Sequence, residues 1–170
     1  MAPIFRSLCS AAHLVLVAAL ALAAPAMAQT MTIAESVQAG PLLLGDQATS
    51  VKLAASQGAL GTRLPAGQIY LVLDKIRAEA AVQAVYEVYF DLPAGAAPSR
   101  GHPHYVGDFN FFDAESGRRG ASFNITDLVA ELQRRGALGD SPTVTIVPNG
   151  APAAAARPSI GSIAIVARAP

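Results

Sequence analysis

The stretch Ala84-Val-Tyr-Glu-Val-Tyr-Phe-Asp-Leu92 decides the fold class. In an extended chain Val85, Glu87, Tyr89 and Asp91 point one way, and Tyr86, Val88, Phe90 and Leu92 point the other. A period of two built from β-branched and aromatic residues is a strand with one face turned inward. Pro93 and Gly95 end it. Upstream, Gln68 to Arg77 sets Ile69, Leu71, Leu73 and Ile76 against Tyr70, Val72 and Asp74. Both sets are largely apolar, as in a central strand of a packed sheet. Thr49, Val51 and Leu53 alternate with Ser50 and Lys52 before a Gly/Pro-rich loop over 57–67. Downstream, Tyr105 to Phe112 is an aromatic strand. The polar turn from Asp113 to Gly120 predicts a hairpin between 105–112 and 121–125. Pro142 to Pro148 brackets another strand. Ser159 to Ala167 is the last, with Ile160, Ser162, Ala164 and Val166 alternating against Gly161, Ile163 and Ile165.

One helix is expected, near residues 126–135. Ile125, Leu128, Val129 and Leu132 recur at helical spacing on one face. Asn124 or Thr126 caps its start, Asp127 and Arg134-Arg135 match the helix dipole, and Gly136 is placed to end it. About seven strands at short spacing, with no βαβ rhythm, predict an all-β fold: an antiparallel β-sandwich carrying one short helix. The Ala153–Ala156 tract reads as loop.

The ends alter the composition. Residues 1–28 read as a secretory signal: Arg6, an apolar run of 11 residues from Leu14 to Ala24, and the small-x-small site Ala26-Met-Ala28. Removing 28 of 170 residues leaves 142, from Gln29 to Pro170. The mature chain then has 11 basic and 12 acidic residues, a net charge of −1, because only Arg6 is lost. Cys9, the one cysteine, leaves with the signal, so disulfides, thiol nucleophiles and thiolate metal sites are excluded. Near-neutral, scattered charge argues against nucleic acid as a partner. No later stretch is long enough for an integral membrane helix. The expected organisation is a signal peptide (1–28), a flexible lead-in (29–47) and one domain (48–170), secreted or periplasmic.

Few residues offer chemistry. His102-Pro-His104 puts two imidazoles on one loop, a partial ligand set for copper or zinc. No cofactor is otherwise expected. Asp108, Asp113 and Glu115 bracket the aromatic strand but fit turn and strand-end roles better than acid–base catalysis. No nucleophile elbow, phosphate loop or zinc-protease motif is present. The outward aromatics Tyr89, Tyr105, Phe109 and Phe111, with the basic turn residues Arg118 and Arg119, form the expected interaction face.

Five segments in order resemble one known domain. Tyr86-Glu-Val-Tyr-Phe-Asp-Leu-Pro93 resembles the K-F-D-V strand that opens the C-terminal domain of plant polyphenol oxidases. His104-Tyr-Val-Gly-Asp-Phe-Asn-Phe-Phe112 is similar to that domain's next strand, and Phe123-Asn-Ile-Thr-Asp-Leu-Val-Ala-Glu-Leu132 is similar to its I-T-D-L-L helix. Val144-Thr-Ile-Val-Pro148, then Pro158-Ser-Ile-Gly-Ser-Ile163, resemble its closing V-T-L-V-P and T-I-G-G-I pair. The resemblance covers about residues 48–167.

It implies the β-sandwich that follows the copper domain in the tyrosinase family of type 3 copper proteins. There the domain is non-catalytic and shields the copper site in latent forms. A dinuclear copper site needs a full histidine set borne on helices, and two loop histidines cannot supply it, so this chain is not expected to be an enzyme. The expectation is a non-catalytic module that docks on or shields a separate tyrosinase-like copper oxidase domain. Two alternatives stand beside it: copper binding and delivery by His102 and His104, and a ligand-binding sandwich.

Overall fold

A computed structural model of the protein describes residues 30–55, 66–112, 114, 119–139 and 141–169. The signal segment 1–28 and Asp113, Glu115 and Arg118 lie outside the described residues. The fold is all-β. In chain order the elements are β1 (Thr30–Ser36), β2 (Leu42–Leu43), β3 (Thr49–Ala55), β4 (Gln68–Arg77), β5 (Val85–Phe90), β6 (Tyr105–Asn110), β7 (Arg119–Asn124), α1 (Thr126–Arg134), β8 (Thr143–Asn149) and β9 (Ser159–Arg168). All pairings are antiparallel, in the order β6-β5-β8-β3-β1-β9-β4-β7, with β2 added beside β9.

Two findings correct the sequence reading. Residues 29–47 do not form a mere lead-in. β1 pairs with both β3 and β9, and its Ala34 is fully buried. One partner, β9, lies at the other end of the chain, and the segment itself has no sustained period to announce a strand. The expected 105–112/121–125 hairpin is absent. β6 pairs with β5, and β7 with β4, at opposite ends of the strand order. The intervening turn residues fit a hairpin, but long-range ladders fix the pairing.

The two end strands nevertheless meet. A Cβ at Gly107 of β6 would lie 2.8 Å from the Phe123 ring of β7. Arg119 of β7 donates to the Phe112 carbonyl and to Asn110 Oδ1 (3.2 Å) beyond and at the end of β6. The sheet thus rolls almost shut, and side-chain contacts bridge the seam that lacks a ladder.

The core fills from alternate positions of these strands. Ile69, Leu71 and Leu73 of β4 are buried, each worth roughly 1.5–3 kcal/mol relative to exposure. The alternation then breaks: Ile76, three residues on, is also buried. The cause is Lys75, whose φ of 54° puts it in the left-handed region and turns the strand back inward. Opposite it, Gly161 leaves room; a Cβ there would sit 2.7 Å from Lys75 Cβ. β9 changes parity at the same place, so Ile160 shares the core with Ile163 and Ile165 instead of alternating against them.

Helix α1 lays Val129 and Leu132, with Ile125 before it, on this core. Ile125 is its N-cap and no side chain caps it there. Asn124 and Thr126 instead stitch the helix to the sheet: Asn124 Oδ1 accepts the Thr126 N–H (3.0 Å), and Thr126 Oγ1 accepts the Ile69 N–H (2.8 Å). At the other end the Gly136 N–H meets Gln133 O and the Ala137 N–H meets Leu132 O, a Schellman ending with Gly136 at φ 63°. The Ala153–Ala156 tract contains a single 3-10 turn, Ala154–Ala156, with Ala156 buried.

Candidate functional site

The outer face of β5 and β6 carries the most polar chemistry. Tyr89 points away from the core, as the alternation predicts, yet it is 0% exposed. The following segment, which carries Arg100, folds back over this face. Tyr89 packs edge-on against Tyr105 at 5.6 Å and donates its hydroxyl to Glu87 Oε2 at 2.6 Å. Glu87 Oε1 also accepts from Arg100 Nε (3.0 Å) and Asn149 Nδ2 (3.1 Å). Arg100 reaches Asp108 Oδ2 at 2.9 Å, and Tyr105 donates to Asp108 Oδ1 at 2.8 Å.

The Tyr89 hydroxyl, then Asn149 and Arg100, hold the Glu87 carboxyl below its ordinary pKa against the opposing effect of burial. Burial, then the bond to Glu87, pushes the Tyr89 phenol above its ordinary value. Burial and Asp108 do the same to Tyr105. Donors occupy both Glu87 oxygens, so this network's evident work is to fasten the Arg100 segment to the sheet.

The aromatics expected to form an interaction face are therefore mostly interior. Tyr89 is sealed under Tyr105, which is half-buried. Phe109 and Phe111 are buried and gather around Tyr86, at 5.5 and 5.3 Å. The β5–β6 pairing and the rolled sheet turn these two inward. Arg119 is engaged in closing the seam. Among the described residues the exposed large aromatic is Phe112, 72% exposed, which the expected interaction face did not include. It stands at a cleft of about 820 Å³, lined also by Ala78, Val82, Val85, Phe111 and Asn149, with no charged residue among the described residues of its lining. Consecutive Phe111 and Phe112 must diverge in an extended chain, which was the available signal.

His102 and His104 do come together, with ring centroids 5.2 Å apart. The His104 N–H donates to His102 Nδ1 (3.2 Å), and His104 Nδ1 donates to the Phe90 carbonyl (2.8 Å). Both rings thus help shape the loop entering β6. Among the described residues, no three or more His, Cys, Asp or Glu side chains form a group that would hold a metal.

Residues 22–168 match the family model described as domain of unknown function DUF7868. No curated protein matches the chain. Solved structures do. Recombinant latent aurone synthase, a polyphenol oxidase, is 21% identical with a TM-score of 0.56, and the match covers 84% of this chain and 29% of that one. The same enzyme from its natural source gives the same figures. Latent apple tyrosinase is 20% identical with a TM-score of 0.53, covering 75% of this chain and 27% of its own. The chain thus spans less than a third of those proteins, and the shared feature is the fold.

Proposed function

From the premise that the chain belongs to the DUF7868 family, we propose that it is a non-catalytic module that docks on a separate tyrosinase-like copper oxidase domain and shields it. The observation that carries this reading is the match in fold: most of this chain aligns with under a third of two latent polyphenol oxidases. A secretory signal over residues 1–28 would bring it to a secreted or periplasmic compartment, where it would meet the oxidase. The docking face in this reading is the cleft beside Phe112 and Val85, both of which expose apolar surface. An exposed aromatic next to a recess is the usual form of an interface anchor.

The test is oxidase activity in trans. A polyphenol oxidase stripped of its own C-terminal domain is assayed with rising amounts of this chain. Saturable inhibition is expected, and Phe112→Asp, which changes only an exposed side chain, should abolish it. Activity that stays constant at every ratio rejects the proposal.

The contact between the two imidazoles favours a second reading, copper binding through His102 and His104. His102 Nδ1 already accepts a backbone N–H, so the neutral ring carries its proton on Nε2 and copper would have to displace it. Calorimetric titration with Cu²⁺ tests this: heat lost in His104→Gln supports it, and no heat with the intact chain removes it.

A further inference from the structure

A second cleft, of about 490 Å³, opens on the outer face where β3 and β8 meet the chain leaving β5. Ser50, Asp91, His104, Thr143 and Thr145 contribute its polar lining, and Pro93 belongs to its apolar wall. We propose that this cleft binds a neutral polyol, of the saccharide class, through adjacent hydroxyl groups. The proposal does not depend on docking to an oxidase.

Three features converge on that chemistry. First, Asp91 is held in a costly conformation, φ 52°. Its N–H donates to Thr143 O (2.7 Å), and its Oδ1 accepts the Thr143 N–H (3.2 Å). Oδ2 has no partner among the described residues. Backbone strain maintained by surrounding bonds is common where a side chain must be aimed at a ligand. Second, His104 gives its Nδ1 proton to Phe90 O. The neutral ring therefore keeps Nε2 as an acceptor. Third, Ser50 Oγ and Thr145 Oγ1 bond to each other at 2.8 Å. Only one of their two hydrogens is consumed, so the pair still offers one donor and several lone pairs.

Among the described residues the lining is rich in acceptors, with one carboxylate and no Lys or Arg. That disfavours anions and suits a ligand that presents several O–H donors. A carboxylate accepting from neighbouring hydroxyls is a charge-assisted contact. The volume lies within the range of small-molecule sites.

The experiment is an NMR titration of the full chain with methyl glucoside, myo-inositol and glucuronate. At least one of the two neutral polyols should shift the amides of Ser50, Asp91, His104 and Thr145, and glucuronate should bind more weakly because Asp91 repels it. Asp91→Asn keeps a residue that tolerates the left-handed backbone and an oxygen for the Thr143 N–H, and should weaken binding about tenfold. Ser50→Ala, which leaves that turn untouched, should weaken it as well. Absence of shifts in the cleft with both neutral polyols, or equal affinity in both variants and the parent, overturns the proposal.

Discussion

The Tyr86 hydroxyl is buried with no hydrogen-bond partner among the described residues. Burial pushes its pKa up to about 12. An unsatisfied buried polar group costs about 1–3 kcal/mol, while its ring still packs against Phe109 and Phe111. Tyr86→Phe should therefore leave stability unchanged or raise it by up to about 1 kcal/mol in urea unfolding. A clear loss would mean that the hydroxyl has a partner. Gly161 makes the opposite case. Its missing side chain admits Lys75 Cβ, close to the backbone and unable to swing away. Gly161→Ala should cost about 1–3 kcal/mol, whereas Gly101→Ala, with open space around it, should be nearly silent in the same assay. The sequence carried half of this. It grouped Ile69, Leu71, Leu73 and Ile76 on one face, and all four are buried. The left-handed turn at Lys75 that makes this possible has no residue signature, because a lysine there looks like any solvated strand position, so the matching parity change at Ile160 was hidden.

Strand β5 shows how an element can be read correctly and its use misjudged. Alternation separated Tyr86, Val88 and Phe90 from Glu87 and Tyr89, and the sheet confirms the two faces. What alternation cannot show is a loop folded back over the outer face. The ion pair from Arg100 to Glu87 becomes visible only when that segment is in place. This network makes a pH prediction. The folded state depresses the Glu87 pKa. The stabilisation is therefore present above the ordinary carboxylate range and is lost as pH falls through that range and below it. Glu87→Gln should lower stability at neutral pH by about 1–3 kcal/mol, and the gap between variant and parent should close on acidification. A gap that is constant with pH would contradict the assignment. The seam between β6 and β7 is a second element-scale feature. Phe123 fills it against Gly107. Phe123→Ala should cost about 3 kcal/mol and should speed amide exchange in β6 and β7 more than in the β4–β9 ladder. Uniform exchange across the sheet would count against a side-chain-closed seam. Helix α1 was the most legible element, because its apolar spacing, Asp127, Arg134 and Gly136 all act locally.

At the scale of the molecule, the chain is a rolled antiparallel sheet in which a distant pairing joins the first and last strands. β1 closes against β9 across most of the sequence. Such pairings explain why the all-β class was legible while the strand order and the true edges were not. The exposed apolar surface moved in the same way. A sequence shows which aromatics cluster, but only the closed sheet shows that Tyr89, Phe109 and Phe111 are interior and Phe112 is not. The proposed docking rests on an exposed phenylalanine beside a cleft, and the fold is shared with a minor part of latent polyphenol oxidases. The most direct measurement is sedimentation of the full chain mixed with a polyphenol oxidase core lacking its C-terminal domain. The account predicts a single faster boundary containing both proteins in equal numbers, which Phe112→Asp resolves back into two. Two independent boundaries with the unaltered chain, at concentrations well above micromolar, would contradict it.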